Sequence, residues 1–577
     1  MGVPTGQMEI FASVAGLVVC GAVVFFVVMS LLRRELHEVV PAGGRERRGW
    51  MIAGRAGAAL ILALALAATS IGAVAVIENR AHTAGPQATS RGSSAATMTV
   101  PAIFTVTTGT AEAIAEAGLE PQVPSTGKWM TGDMHSHTFL TGGSHSQAEV
   151  AKKALKEFSL DWIANSEHGG TGKWDQFGRS VKATPRWWSL ANWSWPIISG
   201  LRSELPGKLL LQGVEWNLAR GGNASVGFAS NDPSAVSEFD YRFDANSSST
   251  SYPGTPPKDN TSALGAVDAV AWLQASYANS AYLVLNHPSR GLTLRPGDVR
   301  DYIAAGPDIV AGFEGMPGHQ KQSNRGGYGS ANPLGRTYQG ADPWLAQVGG
   351  LWDSILGNGS RFHVFTNSDF HSPADDFWPG EYAKNWTFVT DPTDMMSLVA
   401  GLKSGRSFSS YGDLVDDLEF AARGDGASVP MGREPLTVSR GSDVAVTVRF
   451  HTAAVNNHGD KPAVDHIDLI AGNVTGPAAK GSASWEASTN PTARVVRTFA
   501  REDLQDLGDG WYAATCTISG IQGPIYLRLR ATNLAPGTPG MTDAQGNPLM
   551  DAPGDNNTAR AWASLWFYSN PLWVDVK

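Results

Sequence analysis

Two uninterrupted apolar stretches open the chain, Ile10 to Leu32 and Ala56 to Ile77. Each is free of charge and long enough to cross about 30 Å of hydrocarbon at ~1.5 Å per residue. They predict a transmembrane hairpin over residues 1–80, with helices at about 10–32 and 56–77. Arg33, Arg34, Arg45, Arg47, Arg48 and Arg55 lie between or beside them, whereas Met1 to Glu9 carries no cation. Cationic loops stay cytoplasmic. The expected address is the cytoplasmic membrane, with a catalytic part that is extracytoplasmic (periplasmic or on the cell surface). Residues 81–127 begin small, polar and aperiodic (AHTAGPQATSRGSSAA) and read as a linker and lead-in.

From Lys128 the pattern changes to short apolar runs bounded by Gly, Asn, Pro or Ser: KWMTGDMH, LDWIANSEH, KLLLQGVEW, AYLVLNH, DIVAGFE and RFHVFTNSD. These predict buried strands. Between them, 148–158, 264–277 and 342–356 carry helical periodicity; in the first, Val150, Ala151, Ala154, Leu155 and Phe158 share one face. Alternating strand and helix implies a mostly parallel sheet, and over residues 128–415 a (β/α) barrel is the expected closure, with a doubly wound open sheet as the alternative. Beyond about Val415 the helical period fades. DLEFAA, DVAVTVRFHTA, HIDLIAG, ARVVRTF, GWYAATCTISG, IYLRLRA and SLWFYSNPLWV predict an antiparallel β-sandwich over 416–577.

Composition adds little to that division. At 577 residues, 42% hydrophobic and 17% charged, the chain is ordinary for a folded protein of more than one unit. Cys20 falls in the first apolar stretch, so Cys516 has no intrachain partner in the folded part. The net charge of −9 disfavours nucleic acid as a partner, because phosphate backbones are held by clustered Lys and Arg.

What points to chemistry is where metal-capable side chains fall. His135 and His137 follow the first strand, His168 the second, Glu215 the third, His287 the fourth, Glu314 the fifth, and Asp369 with His371 the last. In a barrel the C-terminal strand ends converge on one face, where active sites lie. Imidazoles mixed with carboxylates and no thiolate suit Zn, Mn or Fe. His135 and His137, two apart on an extended segment, point the same way, and Asp369 and His371 repeat that spacing.

GDMHSH at 132–137, SEHGG at 166–170, GVEWN at 213–217, NHPSRG at 286–291 and NSDFH at 367–371 follow one another like the successive motifs of the PHP (polymerase and histidinol phosphatase) metal-dependent phosphoesterases. The chain resembles that family over about residues 128–415. The resemblance implies a distorted (β/α)7 TIM-like barrel and two or three divalent ions (Zn, Mn or Fe). It implies a first ion on His135, His137, Glu215 and Asp369, a second shared by Glu215 and His287, and a third on His168 and His371. His319, in EGMPGH, would be the family's later histidine. The first motif departs from the pattern: Gly142 and Gly143 stand where an acid is usual, so either His145 replaces it or the third ion is weakened. The second motif has Glu167 where Asp is commoner, and Glu167 would support His168 from behind.

The activity so implied is hydrolysis of a phosphomonoester or phosphodiester, a small molecule or a head group. Two cations about 3.5–4 Å apart would acidify a bridging water to the nucleophile. His168 or His371, if not fully occupied by an ion, would protonate the leaving oxygen beside Asp369, and Arg290 and Arg325 would clamp phosphate oxygens. The alternatives are an amidohydrolase-type enzyme cleaving C–N or C–O bonds, which the strand-end Glu215 in place of a lysine disfavours, and a non-catalytic metal-binding sensor or scaffold. Trp174, Trp187, Trp188, Trp193 and Trp195 crowd the segment after the second motif, as a pocket wall or as local core. His363, inside RFHVF, is read as structural.

Overall fold

The computed structural model describes residues 104–108, 126–329, 335–554 and 558–577. The motif-bearing runs form strands: β1 (Lys128–Asp133), β2 (Trp162–Ala164), β3 (Leu209–Asn217), β4 (Asn223–Phe228), β5 (Ala281–Asn286), β6 (Val310–Met316) and β7 (His363–Thr366). β8 (Ala383–Val389) and β9 (Ser407–Tyr411) follow. β5, β6 and β7 are buried along their whole length, the mark of strands covered on both faces.

The strands do not close into a barrel. Their order is β7-β6-β5-β4-β3-β2-β1-β8-β9, and the same sheet runs on through Trp566–Ser569, Ile525–Thr532, His466–Asn473 and Arg494–Ala500. The expected (β/α)7 barrel beside a free-standing β-sandwich is therefore corrected to a mixed α/β fold built on one long open sheet. A second sheet, with Thr105–Thr108, Trp511–Ser519, Val444–His451, Asp417–Gly424 and Ala427–Pro430 along it, belongs to the C-terminal part.

Two insertions break the parallel pattern. β4 returns antiparallel between β3 and β5 after a turn through Gly221 and Gly222, both in left-handed backbone. β8 pairs antiparallel with the free side of β1. At β7, side chains do the work of a neighbouring strand. Asn385 Oδ1 accepts from Thr366 N at 2.8 Å, its Nδ2 donates to Thr366 O, and Asn570 Oδ1 accepts from Val364 N at 2.7 Å. Backbone groups on a buried edge require such partners. Beyond the strand ends β1 and β7 do meet, through the isolated bridge between Ser136 and Phe370, and the sheet is curved enough for the donors that follow them to converge.

The helix expected over 148–158 starts at Gln147, where Ser146 accepts from Glu149 N and Glu149 accepts from Ser146 N, a capping box. The one expected over 342–356 is two short helices, Pro343–Ala346 and Leu351–Gly357, parted at Gly349 in left-handed backbone. Among the described residues no helix is long and apolar enough to cross a membrane; the longest is Ala263–Tyr277. The apolar stretches at 10–32 and 56–77 lie outside the described residues. The expected membrane anchor and the address built on it are corrected accordingly and not carried further.

His363 is buried in β7, against Gly405. Burial pushes its imidazole down to about 3, and Arg433 and Arg361 push the same way. In the unfolded chain it titrates near the ordinary value of about 6.5. The stability it leaves intact above about pH 6.5 is therefore lost as pH falls toward 3, at up to ~1.4 kcal/mol per unit. Between pH 6.5 and 5, His363→Leu is expected to lose about 2 kcal/mol less than the parent in urea unfolding. Parallel acid limbs would refute this.

Candidate metal centre

The backbone stays extended past Asp133, so His135 and His137 fall on the same side, both fully buried. Asp133 holds this segment against the end of β7: Oδ1 accepts from His135 N at 2.9 Å and Oδ2 from Ser368 N at 2.7 Å. Burial pushes the Asp133 carboxyl up to about 7 against those donors. His137 N donates to Phe370 O at 2.8 Å.

Glu314, at the end of β6, sets His135. Its Oε1 lies 2.6 Å from His135 Nδ1 and accepts from Asn367 Nδ2 at 2.8 Å, and its Oε2 accepts from His287 N at 3.0 Å. His135 Nε2 is thereby turned toward Glu215 Oε1 and Asp369 Oδ1, each 3.3 Å away. Asp369 Oδ1 is also 3.3 Å from His137 Nε2, while Oδ2 is 3.1 Å from His319 Nε2 and accepts from Arg290 Nη2 at 2.9 Å. Glu215 Oε1 lies 3.4 Å from His287 Nε2 and accepts from Asn286 Nδ2 at 3.2 Å; Oε2 lies 2.5 Å from His168 Nδ1 and 3.5 Å from His137 Nε2.

Electrostatics follow from this packing. Burial raises the cost of charge on Glu215 and Asp369, yet the imidazoles around them, with Arg290 beside Asp369, outweigh it and hold both carboxyls well below the usual carboxylate range. Burial opposes charging His135, and Asp369, Glu314 and Glu215 override it and raise its pKa. His137 moves the other way, through burial and the neighbouring His168 and His371. Burial and Arg290 lower His287. His319 is raised to about 9 despite burial, by Asp369 and Asp376.

Several of these groups could hold a metal ion. Donor atoms come within 4.8 Å of one another in four overlapping sets: His137, His168 and His371; His135, His287 and Glu314; His135, His137 and Asp369; and His319, Asp369 and His371. His137 Nε2 and Glu215 Oε2 are buried and make no hydrogen bond; the close approach of His168 to Glu215 Oε2 is not aligned as one. Buried polar atoms seldom go unpartnered, and lone pairs aimed at a shared point suit a cation. His287, His319 and Asp369 all sit in left-handed backbone, with φ of 30°, 57° and 45°. Such φ values cost free energy and cluster at functional sites. The side chains of His168 and His371, 43% and 29% exposed, open the cluster to solvent.

Some expected members lie elsewhere. His145 bonds Ser144 Oγ through Nδ1 at 2.8 Å and sets its ring against Trp378, so it does not stand in for the missing acid. Arg325 is buried, donating to Gln320 Oε1 and Tyr382 Oη; it is occupied in packing and is not a phosphate clamp. Glu167 accepts from the hydroxyls of Thr138 and Thr141, and Thr141 Oγ1 lies 3.3 Å from His137 Nδ1, so its support goes to His137 and not to His168. Sequence reading missed Asp376, which lies 2.5 Å from His319 Nδ1 and accepts from His371 N at 2.8 Å. It also missed Asn286, Asn367 and Asp133, although all three stand inside the quoted motifs.

No family model matches the chain, and no curated protein matches it. Two solved structures are similar over 48% of it. PsfC from Pseudomonas syringae PB-5123 matches at 12% identity over 90% of its own chain with a TM-score of 0.27. Endonuclease Q, in complex with a 27-mer duplex carrying an abasic lesion, matches at 16% identity over 57% of its chain with a TM-score of 0.26. The expectation of no nucleic-acid partner, which rested on net charge alone, is withdrawn. Net charge sums the whole chain, whereas a polyanion responds to the cations around one site.

Proposed function

We propose that the chain is a metal-dependent phosphoesterase whose centre takes two or three divalent ions, Zn, Mn or Fe. The observation that carries this is the overlap of the four donor sets through His135, His137, Asp369 and His371, with unpartnered atoms on the neighbouring Glu215 and on His137. His135, His137, Glu215, His287, Asp369, His168, His371 and His319 would hold the ions, within residues 128–415. The PHP-like order of the motifs supports phosphoester over amide chemistry. When bound, such ions acidify water and neutralise charge developing on a phosphoryl oxygen.

The chain's own groups do the rest. Arg290 is anchored by donating to Gly326 O from Nε and Nη2, and its guanidinium lies beside Asp369 as a fixed cation for a phosphoryl oxygen. His168 or His371, on the solvent side, would give a proton to the departing oxygen where it is not taken up by an ion. Glu314 and Asp376 keep the rings of His135 and His319 in orientation.

Metal analysis of the purified chain, with assays on p-nitrophenyl phosphate and bis-p-nitrophenyl phosphate, tests the proposal. Two or more divalent ions per chain are expected. Chelation should abolish hydrolysis and lower the melting temperature, and Zn, Mn or Fe should restore both. A folded, metal-free protein indifferent to chelator, or one that cleaves amides and no phosphoester, would overturn it.

A further inference from the structure

The hairpin Thr171–Trp174 and Ser180–Pro185 starts three residues after His168 and has no part in the chemistry above. It is unusually dressed. Trp174 is 41% exposed and Phe177 64%, with Trp188 at 36% just beyond it; Lys173, Arg179 and Lys182 are exposed as well. Single exposed aromatics are commonplace, but here three fall within eighteen residues, interleaved with cations; Trp188 sets its ring edge-on to Trp193, while Trp174 and Phe177 stand out on the hairpin itself. The segment's one acid, Asp175, is buried and spent inside the turn, where its carboxylate accepts from Phe177 N, Arg179 N and Arg179 Nε. Gly178, at φ 75°, closes that turn, and the Arg179 guanidinium lies 4.8 Å from the Phe177 ring. The tip is thus held in one conformation while its rings face water.

Its position is set by contacts to the centre. At the base, Arg186 N donates to Gly170 O, Arg186 Nε to His168 O at 2.7 Å and Nη2 to Leu140 O at 2.9 Å. At the tip, Gly178 packs on Phe139, two residues after His137; a Cβ there would lie 3.1 Å from the ring. The hairpin is therefore anchored to the two segments that carry His168 and His137.

We infer that this hairpin is the leaving-group platform of the centre, and that the substrate is an anionic ester whose alcohol portion carries a planar ring. Trp174 and Phe177 offer ring faces for stacking, and Lys173 and Lys182 draw in the negative charge in a chain that is acidic overall, Arg179 being paired with Asp175. The inference rests on the phosphoesterase reading for the anion and on the hairpin for the ring.

The test compares 2-phenylethyl phosphate with butyl phosphate, whose leaving alcohols are of similar acidity, and the two matching phosphonates by calorimetry. The ring-bearing ester is expected to have a KM about tenfold lower, and its phosphonate a Kd lower by a similar factor. Trp174→Ala and Phe177→Ala should bring both ratios toward one, as should Phe177→Leu, which keeps an apolar side chain without the ring. Hydrolysis of both esters with equal KM, unmoved by these substitutions, would overturn the inference and leave the phosphoesterase reading standing. Ring-selective phosphonate binding that the substitutions abolish, in a protein that hydrolyses neither ester, would support the platform and refute the phosphoesterase reading.

Discussion

Asp369→Asn is expected to lower kcat/KM for phosphoester hydrolysis by roughly 10³-fold and to reduce the metal bound per chain, with the fold retained. Asp369 is shared between two donor sets, lying 3.3 Å from His135 and His137 and 3.1 Å from His319. It also accepts the Arg290 hydrogen bond that fixes the cation offered to substrate. Asparagine keeps the shape and removes the charge, so the loss reads the carboxylate itself. Metal content, circular dichroism and steady-state kinetics on one preparation decide it. Unchanged metal and turnover would sink the assignment of Asp369, and with it the centre.

The largest expected stability effect lies away from the centre. Asp353, in the helix Leu351–Gly357, accepts from Arg528 Nε at 2.9 Å and Nη2 at 2.8 Å, from Tyr526 Oη at 2.9 Å and from Gly349 N at 2.7 Å. Both ends of the ion pair are almost wholly buried. Removing one partner strands the other charge in the interior, so Asp353→Ala should cost about 3–5 kcal/mol in urea unfolding. Adding Arg528→Met should recover much of that, because an apolar pair of similar volume needs no counter-charge. A loss under about 1 kcal/mol for Asp353→Ala would mean that water or a rearranged neighbour satisfies Arg528. The pair ties a helix of the metal-bearing part to a strand of the C-terminal part, so its loss should lower the cooperativity of unfolding as well.

Much of the candidate site was legible because each donor follows a short, continuously apolar run. Such a run declares a buried strand, and a polar side chain just past its end can only sit where several strand ends gather. His319 shows the limit. It is near Asp369 because the loop after β6 turns through left-handed backbone at His319 itself, and no periodicity announces that turn. His145 and Arg325 stand in equally suggestive contexts, yet one turns to Trp378 and the other into the packing around Tyr382. Rotamer and loop path decide such cases, and neither is written in local sequence.

Hydrophobic patterning by itself determined the strand-forming runs, and residue identity the donor types at their ends and the borderline-to-hard metal chemistry those donors imply, since burial and ligand chemistry are local properties of residues. Only the tertiary structure decided that the sheet stays open. β4, a short NASVGF segment after the Gly221–Gly222 turn, inserts antiparallel between β3 and β5, β8 takes the free side of β1, and the amides of Asn385 and Asn570 satisfy the edge of β7. Strand order depends on which edges find hydrogen-bond partners across more than two hundred residues, as Asn570 does for Val364, and that competition is settled by the whole fold.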